Sequence, residues 1–290
     1  MTDDLGAALR ERVVVLDGGL GTHLEARGAD VSGELWSARV LRDDPELVRA
    51  AHADFVAAGA EVVISASYQL GYGAALPDGE VDRLIRLSVA VARDSGARWV
   101  AASVGPYGAV RADGSEYTGD YGRDAAELRA WHRRRLAALA DAGADVLAVE
   151  TVASPLEAEV LAAELDALGV PSFVSMSGDS TALDARGLRA ALRTAAGARG
   201  VLAVGVNCCR PARTAALLAA APAGAALVAY PNAGRTWDAS TRTWRGEASG
   251  VADLAPGWAA AGARLIGGCC GTTPADVAAI AARVSATTRT

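Results

Sequence analysis

The sequence predicts a (β/α)8 TIM barrel formed by one domain spanning residues 1–290. Three observations carry this reading. Short β-branched runs alternate eight times with Ala-, Leu- and Arg-rich helical patterns. Three of those runs are entered through one phrase, AAGAEVVIS, DAGADVLAVE and AAGARLIGG, in which a helix stops at Gly and a buried strand begins. Glycine takes the left-handed conformation that ends a helix at little steric cost. The polar residues that interrupt the apolar runs fall at strand C-termini, where barrel enzymes assemble their sites.

The first strand is read at Val13–Leu16, ending on Asp17-Gly18-Gly19. After a long loop, Asp44 is placed to cap a helix opening at Pro45, whose missing N–H suits the first helical position. Strand two is read at Glu61–Ser65 and its helix at Glu80–Ser95. Strand three is Trp99–Ser103; the loop GPYGAVRADGSEYTGDYG then leads to a helix over Arg123–Ala142. Strand four is Val146–Glu150, with Ser154-Pro155 opening the next helix. Ser172–Met176 with Asp184–Ala196, and Val201–Val206 with Pro211–Ala221, form the fifth and sixth units. Leu227–Tyr230 is followed by a loop with two tryptophans and a helix over Val251–Ala261. Arg264–Ile266 and Pro274–Val284 close the set. A doubly wound open sheet is the competing architecture. Its phosphate-binding turn needs G-x-G-x-x-G, a spacing that DGGLGTHLE lacks.

Composition excludes several functions. A net charge of −6 and a pI near 5.2 do not suit nucleic acid or an anionic membrane as partner. No apolar run approaches the roughly 18 residues of a membrane span. The opening MTDDLGAALRER has acidic residues where a signal peptide is basic, so a cytoplasmic protein acting on small molecules is expected. The basic residues are all Arg, and without Lys neither Schiff-base catalysis nor pyridoxal phosphate attachment is open. Only His23, His52 and His132 could serve as imidazole bases.

The four cysteines form two adjacent pairs, Cys208-Cys209 and Cys269-Cys270. A disulfide framework does not fit a chain of this size and profile. Cys208 follows strand six and Cys269-Cys270 follow strand eight, with one strand between them in a closed barrel, so three thiols can converge above its mouth. Three sulfurs suit zinc and leave one tetrahedral position open. Coordination deprotonates a thiol, which suits a chain so poor in bases. The glycines flanking Cys269 and Cys270 are expected to let the backbone turn tightly, while Cys209 is read as packing.

Asp17 and Glu150 end strands one and four, and two carboxylates at a barrel mouth suit a substrate ammonium. The Gly18-Gly19 amides and helix N-termini suit a carboxylate. Ser65 and Ser67 follow strand two, Asn207 closes strand six and Asn232 follows strand seven, which makes them rim candidates. An amino acid that carries a thiol meets all these demands.

The phrases LDGGLGTHLEARG, LWSARVL with DDPELVRAAH, ISASYQ, SVGPYGA, DGSEYTGDY, DAGADVLAVET, GVNCC, VAYPNAG and GARLIGGCCGTTP span nearly the whole chain. Together they resemble the homocysteine S-methyltransferase family, and within it the branch using S-methylmethionine or S-adenosylmethionine. GVNC paired with GGCC is the most specific part. The resemblance implies that Cys208, Cys269 and Cys270 hold zinc and that homocysteine sulfur takes the open position. It implies that Asp17 and Glu150 hold the amino group, that Gly18, Gly19 and Ser67 lie near the carboxylate, and that Trp36 lies over the site. For a methylsulfonium donor, aromatic faces offer cation–π contact, and Tyr107, Tyr117, Tyr121, Trp237 and Trp244 are the candidates. DGSEYTGDY is closer to the S-methylmethionine branch than to the betaine branch. Folate and cobalamin donors belong to larger, multidomain relatives. The chain departs from the family pattern at Cys209, where relatives vary and a fourth thiol offers an alternative ligand, and at Gly271, where some relatives carry Arg. Other readings are a betaine- or other-donor methyltransferase acting on a thiol or on selenocysteine, an acid–base lyase or hydrolase, and a zinc- or redox-sensing barrel.

Overall fold

A computed structural model describes residues 4–31, 35–73, 75–111, 113–234, 236–238, 243–245 and 250–287. Eight parallel strands follow one another in chain order: β1 Val14–Val15, β2 Val62–Ile64, β3 Trp99–Val104, β4 Val146–Val152, β5 Ser172–Ser177, β6 Val201–Asn207, β7 Leu227–Tyr230 and β8 Ala263–Ile266. Neighbours in sequence are neighbours in the sheet, and β1 pairs with β8 through Val14↔Leu265 and Val15↔Ile266. The Leu16↔Val62 bridge, with Asp17 N donating to Val62 O at 3.0 Å, closes β1 onto β2. The barrel is therefore the predicted one. Seven of the eight predicted strands are longer or shorter by one or two residues at an end, β1 being cut to Val14–Val15, and only Leu227–Tyr230 agrees at both ends.

Alternation along the strands builds two cores. Val14, Leu16, Val62, Trp99, Ala101, Val146, Ala148, Phe173, Ala203, Val228 and Leu265 form a cluster distinct from the larger one that joins the outward faces to the helices. Leu5 and Leu9 join the first cluster. They come from helix Leu5–Glu11, capped by Asp4 accepting from Gly6 N at 3.0 Å. This helix precedes β1 and so packs at the opposite end of the barrel from the strand C-termini. Its signal, an Asp cap followed by Leu at i and i+4, is local and readable.

The predicted cap at Asp44 forms, accepting from Leu47 N ahead of Pro45–Ala57. The structure adds a reciprocal capping box of Asp124 and Glu127 on Ala125–Ala140. Ser154 opens Pro155–Leu168, and Asp184 opens Ala185–Ala196. Gly59, Gly143 and Gly262, the stops in the repeated phrase, have φ of 102°, 85° and 102°. Helices Leu20–Ala26, Trp36–Asp43, Tyr107–Arg111 and Ser115–Thr118 occupy stretches where the pattern predicts loops, and Thr236–Asp238 pairs antiparallel with Thr243–Arg245.

Towards the strand C-termini the inward positions become polar: Ser103, Glu150, Ser175, Asn207 and Tyr230 succeed the apolar layers. Beneath them β6 lies unusually close to β7. A Cβ on Gly205 would come 1.9 Å from the Val228 carbonyl oxygen, and backbone cannot yield as a side chain would. Gly205→Ala is expected to destabilise the fold by about 3 kcal/mol, the upper range for overpacking. Chemical denaturation checks this, and an unchanged midpoint would contradict the close strand approach.

Candidate active site and metal centre

Backbone hydrogen bonds between three consecutive loops position the sulfurs. Cys208 N donates to Tyr230 O at 3.4 Å, Cys269 N to Pro231 O at 2.7 Å, and Ala233 N to Cys270 O at 2.9 Å. The loops after β6, β7 and β8 are thereby tied together, and the Sγ atoms of Cys208, Cys269 and Cys270 lie within 4.8 Å of one another. Cys269 and Cys270 are 3.9 Å apart at sulfur. Thiolates about 2.3 Å from one tetrahedral ion stand about 3.8 Å from each other, so this spacing fits such an ion. The electrostatics fit as well. S–H donors from Cys269 and Cys270 hold Cys208 well below the usual thiol range, and hydrogen bonding to Cys208 holds the other two well above it. The trio carries one negative charge readily; three require a cation among them.

The glycines beside the cysteines act differently from the expectation. Gly267 and Gly268 do not adopt left-handed φ. They allow close approach: a Cβ on Gly267 would meet Asp17 O at 2.6 Å, and one on Gly268 would meet Thr272 Oγ1 at 2.3 Å. Only Gly271, with φ 78°, supplies the turn. Cys209 is the packing residue expected: its Sγ sits 3.6 Å from Thr214 Oγ1 and burial pushes its thiol up to about 12.

One cavity is lined by the three cysteines together with Asp17, Gly18, Gly19, Trp36, Tyr117 and Glu150. Burial raises the Asp17 carboxyl well above its ordinary range, although Ile64 N donates to its Oδ2 at 2.8 Å. Burial also lifts Glu150 to about 7, against hydrogen bonds from Ser103 Oγ at 2.5 Å and from the Tyr230 hydroxyl. Two desolvated carboxylates facing one cavity are a receptor for a cation. Tyr117 leans over the cysteines, with its hydroxyl 3.6 Å from Cys208 Sγ, and Trp36 is 45% exposed at the rim. Asn232 lies outside the cavity lining but hydrogen-bonds the Cys208 sulfur through its side chain.

Several candidates are placed elsewhere. Ser67 does not line the cavity; its hydroxyl donates to Ser103 O at 2.8 Å, and Ser65, Tyr68 and Gln69 line the wall instead. The Gly19 amide is already taken, donating to Thr272 O and Oγ1 at 3.1 Å. Tyr121 is buried with its hydroxyl on Glu157 at 2.8 Å, and Tyr107 stacks against Tyr121 and Trp131; neither reaches the cavity. The side chains of Trp237 and Trp244 lie outside the described residues.

Asn207 is a brace rather than a cavity residue. Its Oδ1 accepts from Thr151 N at 2.9 Å and Ser175 Oγ at 3.0 Å, and its Nδ2 donates to Thr151 Oγ1 at 2.8 Å. Thr151 needs this support. Its φ of 60° places a β-branched residue in left-handed backbone, at a cost of about 1–3 kcal/mol. Asn207 thus couples the residue after Glu150 to the residue before Cys208, itself at φ 48°.

Sequence reasoning missed Tyr68, Ser103, Glu116, Thr151 and Tyr230 on the cavity wall, and Arg135 beneath it. The fully buried Arg135 donates to Gly105 O at 2.5 Å, Ser67 O at 3.1 Å and Tyr68 O at 2.7 Å, and burial lowers its pKa to about 10. Period-two counting from Trp99 and Val228 would have found Ser103 and Tyr230. Glu116 and Arg135 carry no local signal.

Comparison with known proteins agrees with this geometry. A profile of the homocysteine S-methyltransferase family matches residues 14–284. The chain is 44% identical to homocysteine S-methyltransferase of Escherichia coli K12, over 94% of this chain and 96% of that protein. It is 36% identical to selenocysteine methyltransferase of Astragalus bisulcatus, over 93% and 91%. The crystal structure of the metallated form of the E. coli homocysteine methyltransferase MmuM superposes with a TM-score of 0.80 at 40% identity, covering 94% of this chain and 97% of that one.

Asn207→Ala leaves Thr151 N without its acceptor and Thr151 Oγ1 without its donor, and is expected to cost about 2–4 kcal/mol in denaturant unfolding. A loss under about 0.5 kcal/mol would show that Thr151 holds its conformation unaided. Glu150 predicts a pH dependence. Its folded carboxyl near 7 lies above its ordinary 4.5, so the folded chain binds a proton that the unfolded chain has released between these values. This contribution to stability is fully present below pH 4.5 and is lost as pH rises through 7. Glu150→Gln should therefore gain on the wild type by up to about 3 kcal/mol above pH 7 and by nothing below pH 4.5. A pH-independent difference would contradict the raised carboxyl.

Proposed function

Because the chain belongs to the homocysteine S-methyltransferase family, we propose that it methylates L-homocysteine to methionine from a methylsulfonium donor, with zinc as its metal. S-methylmethionine is the preferred donor in this reading and S-adenosylmethionine the second. The observation that supports it best is the sharing of one cavity by three convergent sulfurs and two buried carboxylates. An amino acid with a side-chain thiol is matched at both ends, ammonium at Asp17 and Glu150 and sulfur at the cysteines.

Zinc, when bound by Cys208, Cys269 and Cys270, lowers the pKa of a substrate thiol so that thiolate is present at neutral pH. The thiol proton leaves to solvent. The substrate sulfur forms a bond to the donor methyl carbon as the carbon–sulfonium bond breaks, and that electron pair stays on the donor sulfur. Both sulfurs end as neutral thioethers, so the leaving group needs no acid. Asp17 and Glu150 orient the acceptor, and Ser103 and Tyr230 hold Glu150 in place. Opposite charges cancel as the methyl moves, so walls that exclude water, Trp36, Tyr68 and Tyr117 among them, favour the transition state over the hydrated reactants. Reduced thiols at such a site suit the cytoplasm. The name of the Astragalus relative also admits selenocysteine as a competing acceptor.

Purified protein with homocysteine should form methionine fastest with S-methylmethionine, more slowly with S-adenosylmethionine and least with betaine. Turnover by betaine alone would overturn the donor. Cys208→Ser, Cys269→Ser and Cys270→Ser should each lower zinc affinity at least about 100-fold and abolish turnover, whereas Cys209→Ala keeps both. Full activity after chelation, with zinc shown absent, would overturn the metal.

A further inference from the structure

A third carboxylate lines the cavity, and the reaction above leaves it unused. Glu116 lies in the single helical turn Ser115–Thr118, next to Tyr117, whose hydroxyl approaches Cys208 Sγ. Asp17 receives Ile64 N, and Glu150 receives Ser103 Oγ and Tyr230. The Glu116 carboxylate receives the backbone N–H groups of Gly114 and Glu116, but its buried Oε2 has no hydrogen-bond partner among the described residues. Its neighbour Asp113 takes Arg111 Nε at 2.8 Å and Ser115 N at 3.0 Å, which commits that guanidinium nitrogen to Asp113.

The turn is not free to swing the carboxylate elsewhere. Gly114 and Gly119 flank it at φ 83° and 67°. Gly108 packs so closely that its Cβ would meet Glu116 N at 2.4 Å, and Thr181 N donates to Tyr117 O at 3.2 Å. A fixed, desolvated carboxylate oxygen without a partner is costly unless a ligand supplies a positive group. The acceptor's one ammonium is already matched by Asp17 and Glu150. The remaining positive groups, a sulfonium and an α-ammonium, belong to the other substrate. The sulfonium is the one that must enter the cavity shared by Glu116 and the sulfurs for the methyl to move.

We infer that Glu116 recognises the positive charge of the methylsulfonium donor, with Tyr117 and Tyr68 as the adjoining aromatic walls. The inference rests on the donor class proposed above. It makes Glu116 a determinant of specificity for a cationic donor over the neutral thioether that is left after transfer. The sulfonium charge disappears as the methyl moves, so the contact serves the ground state more than the transition state.

The kinetic consequence is a split between constants. Glu116→Gln should raise KM for S-methylmethionine about ten- to hundred-fold, with kcat unchanged or raised but not lowered. KM for homocysteine, zinc content and the thermal midpoint should stay unchanged, and Glu116→Asp should recover part of the donor affinity. A merely structural role would move kcat, both KM values and the midpoint together. Donor KM unchanged in Glu116→Gln, or a rise confined to homocysteine, overturns the inference. Calorimetric binding without homocysteine separates this from the function itself. Wild type should bind S-methylmethionine more tightly than methionine, and Glu116→Gln should lose that preference even if no sulfonium donor supports turnover. A wild type that binds the two equally overturns the inference while leaving homocysteine methylation by another donor open.

Discussion

The parallel ladder running from β6 through β7 to β8 is the constraint on which the site depends. Cys208 and Cys269 are far apart in sequence, and their loops meet only because both are hydrogen-bonded to the backbone that leaves β7, at Tyr230 O and Pro231 O. A slip of one residue would displace a cysteine by about 3.3 Å and reverse the faces of its strand. Sulfurs within 4.8 Å would then no longer share an ion. Gly205 lets β6 and β7 approach closely, and Gly267 and Gly268 let the β8 loop lie against Leu16, Asp17 and Thr272. Small residues in this region serve register and proximity more than flexibility.

The same region carries backbone strain and unfavourable burial of charge. Trp36, Thr151 and Cys208, the non-glycine residues with positive φ among those described, all line the cavity. Asp17 and Glu150 are desolvated, and the buried Arg135 offsets part of that burden at Glu150. The buried carboxylates oppose stability in the free protein and become favourable when a cation pairs with them. That pattern is expected of a binding site held ready by its scaffold. The chain concentrates it on one face of the barrel, while the opposite end is closed by Leu5 and Leu9 in a purely apolar contact.

Most of the architecture was legible because it is written in local chemistry. The repeated helix–Gly–strand phrase marks three strand entries, and the caps at Asp44, Asp124, Ser154 and Asp184 mark helix starts within a residue or two. The strand-end residues Asp17, Glu150, Cys208, Cys269 and Cys270 were found because barrel strands present their C-termini on one face. Ser67 and Asn207 occupy the same kind of position but turn inward to satisfy neighbouring backbone and hydroxyl groups. Position along a strand does not say where a rotamer points. Tyr107 and Tyr121 were drawn in by their aromatic character, yet Glu157 and Trp131 hold them away from the cavity.

The sequence by itself determined the number and order of strand–helix units, the identity of the thiols, and the carboxylates that end strands one and four. These follow from periodicity, capping and the polarity of strand ends, all properties of short segments. Only the tertiary structure decided that Asn207 braces Thr151 and that Glu116 brings an unpartnered oxygen to the cavity. Those outcomes depend on which groups from distant segments satisfy one another once water is excluded. Burial makes every remaining polar atom compete for the few partners within reach, and no short segment contains that competition.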